Sequence, residues 1–366
     1  MLTICGTGLA GLRVAGELRE RGYSGPIRAI DREGVPPYDR PPLTKELFGN
    51  YRRPLSAEGL GQLSELVDEV IHGTVSRVEG TTVCVRNTSG IGIGEETIGE
   101  ESNQNEEVAY QSDSVVLALG ADARNMFPGA LTIRTREDAD KLRAVTGPVT
   151  IVGGSWLGCE LSSSFVQEGH EVTLVEIADS ILPTLGKEAS APIARALEDM
   201  GVTITNTLPE KHGTLVEATG AIQNTLGLDL TTDGWGRTTM PNVYAVGDCA
   251  TLTTGPTWGH WNTALHQASR VAEAIMTDPT DEPLPLVSDV FSTIANKELL
   301  FIGRAEGTPV TLEDGSRTLW ILNDQLTGGF TIDRPADGVA LRRNLGHPLT
   351  PDAAADPRPL KKILRG

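Results

Sequence analysis

Apolar residues along this chain come in short, β-branched runs, each stopped by glycine or by an acid. Leu2 to Cys5, Ile27 to Ile30, Ser114 to Leu119, Val149 to Val152, Glu171 to Val175 and Asn242 to Val246 are such runs. Runs of this length with little polar alternation predict strands buried on both faces, as in a parallel sheet. Helical spacing follows the glycines at 6–11 and at 153–158, and recurs from Glu188 to Met200 and from about Trp261 to Met276. A helical stretch is also expected from about Thr44, after a Pro-rich loop from Gly34 to Leu43. Val83 to Val85, Val108 to Tyr110, Thr318 to Leu322 and Gly329 to Ile332 read as antiparallel strands. Pro279, Pro283 and Pro285 mark a linker into a last region that ends in a Pro-containing tail. Strand, helix, strand in repeated succession predicts an α/β fold.

Two of the glycine clusters carry chemistry. Gly6-Thr7-Gly8-Leu9-Ala10-Gly11 and Gly153-Gly154-Ser155-Trp156-Leu157-Gly158 each stand between a strand and a helix, the context a dinucleotide-binding turn requires. The helix N-terminus then offers free N–H groups and a favourable dipole to a pyrophosphate. Each unit also places an acid at the end of its next strand. Asp31 lies 20 residues beyond Gly11 (31 − 11) and Glu176 lies 18 beyond Gly158 (176 − 158), the spacing of a ribose 2′-OH acceptor. Two such turns in one chain imply electron transfer between two nucleotides.

At 366 residues the chain is expected to form two or three domains. Its formal net charge of −18 argues against nucleic acid or an anionic membrane surface as partner. The stretch Glu95 to Glu107 is dense in carboxylates and reads as a solvated loop. Arg342, Arg343, Arg358, Lys361, Lys362 and Arg365 gather near the end, read as a solvated tail in preference to a docking patch for an acidic partner. Met1 leads directly into the first strand, so a cytoplasmic location without a leader peptide is expected. Cys5, Cys84, Cys159 and Cys249 are too far apart for a Cys-x-x-Cys redox pair, and the six histidines show no ligand spacing, so no metal site is expected.

At Tyr38-Asp39-Arg40-Pro41-Pro42-Leu43-Thr44-Lys45 the chain resembles the FAD-dependent, NAD(P)H-using ferredoxin reductases of oxygenase systems, the putidaredoxin, rubredoxin and biphenyl-dioxygenase reductase type. The likeness extends through the opening glycine motif, Met240 to Asp248, and Trp261 to Ala268. It implies two Rossmann-like dinucleotide-binding domains plus a small α+β C-terminal domain: FAD on 1–120 and 222–282, NAD on a shortened 121–221, and a third domain over 283–366. It places FAD against Gly6, Gly8, Ala10, Gly11, Asp31, Arg40, Lys45, Val75, Arg124, Asp248 and Trp261, and NADH against Gly153, Ser155, Gly158, Glu176 and Gly220. Lys45, beside the flavin, pairs in the family with a glutamate that Glu160 matches; these two are the expected catalytic residues.

The implied activity is NADH-dependent electron transfer through FAD to a small acidic ferredoxin-type iron–sulfur protein, by a monomer or homodimer. Ser155 replaces a motif glycine, and the family's Phe-Trp-Ser start of the last domain stands here as Val290-Phe291-Ser292-Thr293-Ile294. Two alternatives therefore stay open: an NADH oxidase or biosynthetic flavoenzyme that reduces oxygen or a small molecule directly, and a flavin-bearing redox sensor like apoptosis-inducing factor.

Overall fold

The computed structural model describes residues 1–87, 107–211, 213–253 and 259–364. Two compact units share the chain: residues 1–39, 53–122 and 223–286 form the first, and residues 40–52, 123–222 and 287–366 the second.

The first unit is built on a seven-stranded sheet in the order Val243–Ala245, Ser114–Leu117, Leu2–Cys5, Ile27–Asp31, Glu69–Glu79, Thr82–Asn87, Glu107–Gln111. The first five strands are mutually parallel; Thr82–Asn87 joins antiparallel to the long Glu69–Glu79 strand, and Glu107–Gln111 joins antiparallel to Thr82–Asn87. Alternation along the central strands divides the core. Leu2, Ile4 and Val116 pack with Val14 and Leu18 of the helix Leu9–Glu20 and with Ala268 and Val271 of the helix Trp261–Thr277. Cys5, Ile30, Val115 and Leu117 pack on the other face with Val75, Val83, Val243 and Cys249. Burial on both faces is why these runs lack polar alternation. Val83 pairs with Tyr110 and Val85 with Val108, the expected hairpin. The carboxylate-rich stretch from Glu95 to Glu106 lies outside the described residues, and Glu107 already belongs to a strand.

The second unit contains a four-stranded parallel sheet in the order Thr203–Thr205, Val172–Val175, Val149–Val152, Thr214–Glu217, with helices Trp156–Gln167 and Lys187–Asp199. It also holds a five-stranded antiparallel sheet in the order Asp289–Ile294, Lys297–Gly303, Gln325–Ile332, Arg317–Leu322, Thr308–Thr311. On this sheet lies the helix Pro335–Asn344, whose Leu341 seats against Gly329, where a Cβ would meet its Cδ2 at 2.4 Å.

Two expectations change here, and one strand has no counterpart among them. The helix expected from Thr44 is one turn, Pro42–Lys45, because a proline-led N-terminus is followed at once by Glu46 leaving helical backbone (φ −123°). The strand Glu69–Glu79 carries Glu69, His72 and Arg77 and so gave no apolar signal; its pairing with Ile27–Asp31 makes it. The basic C-terminal stretch is a folded segment rather than a solvated tail. Leu349, Ala354 and Leu360 are buried in the core of the antiparallel sheet, and the fully buried Arg317 guanidinium donates to the carbonyls of Ala354, Asp356 and Arg358 while pairing with Asp337. A buried cation whose terminal nitrogens are held by three carbonyls and a carboxylate fixes the path of that segment. Arg365 lies outside the described residues.

Leu341 is 0% exposed at the centre of this cluster. Leu341→Ala is expected to cost about 2–5 kcal/mol through lost transfer energy and a residual cavity. Urea unfolding checks this, and a change below about 1 kcal/mol would mean that the helix does not depend on that contact.

Candidate functional site

In the first unit, Gly6 takes φ +110°, and a Cβ there would lie 2.3 Å from the Ala118 carbonyl oxygen; one on Gly11 would lie 2.0 Å from the Gly6 oxygen. These glycines let strand and helix close on each other. Gly8 differs, since its Cβ would meet nothing within 4 Å. It caps the helix Leu9–Glu20 with no side-chain hydrogen bond, leaving an open backbone face at the helix N-terminus. Asp31 is buried at the end of its strand, where Oδ1 accepts from Thr7 Oγ1 (2.7 Å) and Oδ2 from the Gly34 amide (2.8 Å). A Cβ on Gly247 would come within 2.9 Å of Ala10 Cβ, so the turn carrying Asp248 abuts the same helix. Trp261 Nε1 donates to Asp39 Oδ1 (2.9 Å), and Val75 lies in the sheet core. In the first two turns of the helix Trp261–Thr277, the buried Thr263 Oγ1 and Gln267 Nε2 have no partner. An open backbone face together with two unspent buried polar atoms fits a long polar ligand such as a dinucleotide.

The second unit repeats the device. Gly153 has φ +106° with a Cβ position 2.5 Å from Ala218 O, and a Cβ on Gly158 would lie 1.8 Å from Gly153 O. Ser155 stands where Gly8 stands in the first turn, and its backbone (φ −78°, ψ −169°) matches that of Gly8 (φ −65°, ψ −172°). The serine therefore imposes no backbone strain; its cost is the space of one exposed hydroxymethyl group. Glu176 accepts from the amides of Gly154 (2.7 Å) and Ala178 (2.9 Å), which ties the end of its strand to the turn. Gly220 takes φ +118°, and its carbonyl accepts from the Arg124 amide (3.0 Å); the Arg124 side chain is exposed.

Lys45 and Glu160, 115 residues apart (160 − 45), come together in this unit. Glu160, 4% exposed, lies on the helix Trp156–Gln167. Its Oε2 accepts from Thr44 Oγ1 (2.5 Å), its Oε1 accepts from Ser292 Oγ (2.5 Å), and Lys45 Nζ lies 3.8 Å from Oε1. Burial pushes the Glu160 carboxyl above the usual carboxylate range, and Lys45 and the two hydroxyl donors offset only part of that rise. Lys45 is itself held by Phe291, since Nζ donates to the Phe291 carbonyl (2.9 Å) and sits 4.3 Å from the centre of the Phe291 ring.

The segment 40–52 reaches this place through several anchors. Ser164 Oγ donates to the Thr44 carbonyl (2.6 Å), Arg40 donates to Arg134 O, Arg143 donates to Leu47 O, Tyr51 donates to Asp140, and the Phe48 ring packs edge-on against Phe165. Arg40, Lys45 and Arg124, expected to meet FAD, thus belong to the second unit; the other FAD residues expected from the sequence belong to the first.

Sequence reading had named Lys45 and Glu160 but not the hydroxyls that hold the carboxylate. Thr44 stood within the octapeptide, and Ser292 within the altered start of the last region; nothing in either pattern marked a hydrogen-bond donor. The four cysteines are buried and unpaired. Burial pushes the Cys249 thiol up to about 11 and also raises Cys5 and Cys159, so these thiols stay protonated and unreactive. Among the described residues no helix is long and apolar enough to cross a membrane.

The chain is similar to known proteins. The benzene 1,2-dioxygenase system ferredoxin–NAD(+) reductase subunit of Pseudomonas putida is 28% identical over 93% of this chain and 91% of its own. A rubredoxin–NAD(+) reductase of the same organism is 29% identical over 78% of this chain and 82% of its own. The crystal structure of Fdr9 aligns over 98% of both chains with a TM-score of 0.82 and 25% identity. The two Rossmann-like nucleotide folds are common to this group. The family model described as pyridine nucleotide-disulphide oxidoreductase matches residues 2–212, more than half of the sequence, and the chain belongs to that family.

Proposed function

We propose that the protein is an NADH-dependent flavoprotein reductase that passes electrons through FAD to a ferredoxin-type iron–sulfur protein. The observation that carries the reading is that one chain holds two dinucleotide turns and the buried Lys45–Glu160 couple, and its relatives are named as ferredoxin and rubredoxin reductases. FAD, when bound, supplies the chemistry that the side chains lack, accepting a hydride and releasing electrons singly.

The chain's own groups do the placing. Gly6, Gly8, Gly11 and Ala10 would shape the pyrophosphate seat for FAD, with Asp31 for the ribose and Asp248, Val75 and Trp261 along the remainder. Arg40, Lys45 and Arg124 would also serve FAD. Gly153, Ser155, Gly158 and Gly220 would receive the NADH pyrophosphate, with Glu176 on the adenosine ribose. Lys45 supplies a fixed cation that favours negative charge developing near it, and Glu160 keeps that cation in register. No thiol takes part, since the four cysteines are buried and unpaired. A diffusible NADH supply is in keeping with work in the cytoplasm.

NADH oxidation measured with and without a [2Fe–2S] ferredoxin, with oxygen uptake followed in parallel, tests the reading. A ferredoxin-dependent increase in one-electron transfer is expected. Oxygen uptake that accounts for all NADH consumed, with no stimulation by ferredoxin, would favour a direct oxidase; absence of turnover would favour a sensor.

Coenzyme choice tests the placement of Glu176. Its carboxylate would face a 2′-phosphate, and no lysine or arginine lies among residues 177–185. At ~4 Å the repulsion is about 1 kcal/mol in water and about 4 kcal/mol at an effective dielectric near 20. NADH should therefore be preferred by at least about tenfold in kcat/KM. Equal values for NADH and NADPH would remove Glu176 from the site.

A further inference from the structure

Glu160 is surrounded more completely than a counter-ion for one lysine needs. Its two oxygens receive one hydroxyl each, Thr44 Oγ1 on Oε2 and Ser292 Oγ on Oε1, both at 2.5 Å. The donors come from distant parts of the chain, the Pro42–Lys45 turn and the edge strand Asp289–Ile294. All three residues are buried, Thr44 at 2% and Ser292 at 4% exposure. We infer that Ser292, with Thr44, is a positioning residue for the electron-transfer site: the two hydroxyls hold Glu160 as an ionised, fixed carboxylate and thereby keep Lys45 in its working place.

The physical argument is a competition. Burial on the helix Trp156–Gln167 favours the neutral acid, whereas hydrogen bonds donated to the charged form, and the Lys45 ammonium, favour the carboxylate. A hydroxyl at 2.5 Å is well placed to donate to an anion. Among the described residues, Lys45 is the charged group that acts on Glu160. Lys45 from the 40–52 segment supplies the opposing charge, and Cys159 beside it on the same helix has its thiol raised by burial. The strand Asp289–Ile294 contributes Asp289, which pairs with Arg342. Ser292 is therefore the group on that strand that can tune Glu160, and it does so as a neutral donor. Lys45 depends on the same strand, because the Phe291 carbonyl accepts from Nζ. One edge strand thus sets both members of the ion pair, Phe291 for the cation and Ser292 for the anion.

The inference rests on the reductase reading for its purpose, and its test is separate. Ser292→Ala in the FAD-loaded protein should raise the pKa of Glu160 by about one to two units, the worth of one hydrogen bond to a charged group. Infrared difference spectra across a pH titration, without ferredoxin or turnover, would read the carboxylic acid C=O band, assigned by its loss in Glu160→Gln. The acid limb of flavin reduction by NADH should move up by the same amount, with the rate recovering at higher pH, and Ser292→Thr should restore both. Thr44→Val, which strips the donor from the other oxygen, should shift the band in the same direction and serves if Ser292→Ala does not load flavin.

An unshifted infrared titration in either loaded variant, or a rate lost equally at every pH, would overturn the inference. So would a protonated Glu160 band in the unaltered protein at pH 7, a measurement that needs no variant to fold. Failure of the ferredoxin assay with the infrared shift intact would overturn the reductase reading instead.

Discussion

A carboxylate taken out of water must be paid for by specific partners, and in this protein that constraint organises the second unit around Glu160. Left alone on its helix, a residue 4% exposed would protonate or destabilise the fold. Instead it collects a cation and two hydroxyls from separate segments of the chain. The short segment 40–52 is anchored to helices of the parallel-sheet part through Ser164, Arg143 and Phe165, and the first strand of the antiparallel sheet brings Ser292 and Phe291. The ion pair is thus a point at which three stretches of sequence are required to meet.

The nucleotide turns obey a different and more local constraint. Their closing glycines are dictated by backbone contacts between residues five apart in sequence: Gly11 against Gly6, Gly158 against Gly153. Because the requirement is steric and short-range, it leaves a mark in the sequence, and both turns were legible there together with Asp31 and Glu176. The replacement of a motif glycine by Ser155 looked like a flaw in the sequence. In the structure Ser155 has the same extended backbone as Gly8, so the position does not demand glycine for conformation.

What was not legible had non-local causes. The Glu69–Glu79 strand has no apolar alternation of its own and is made by its neighbours on both sides. The basic C-terminal stretch looked solvated because Arg342, Arg343, Lys361 and Lys362 are the residues that catch the eye, whereas Leu341, Leu349 and Leu360 between them fill a core. Arg317 is a cation in a strand, yet it is fully buried because the carbonyls of residues 354–358 come back to it. The Lys45–Glu160 pair was reached only through a resemblance, since no periodicity links positions 115 residues apart. Ser292 and Thr44 escaped even that, because a hydroxyl gains meaning only when a buried acceptor is placed opposite it.

The account stands on Lys45 and Glu160 acting as one unit, and a double-mutant cycle on the rate of bound-flavin reduction by NADH, followed by stopped flow, tests this most directly. Lys45→Ala should slow reduction by about a hundredfold, the usual loss for one positioned electrostatic contact of roughly 3 kcal/mol. Glu160→Ala should slow it less. The double variant should be less impaired than the product of the two single effects, because each single change strands a partly buried charge that the double change removes. Strictly multiplicative effects in folded, flavin-loaded variants would contradict the account.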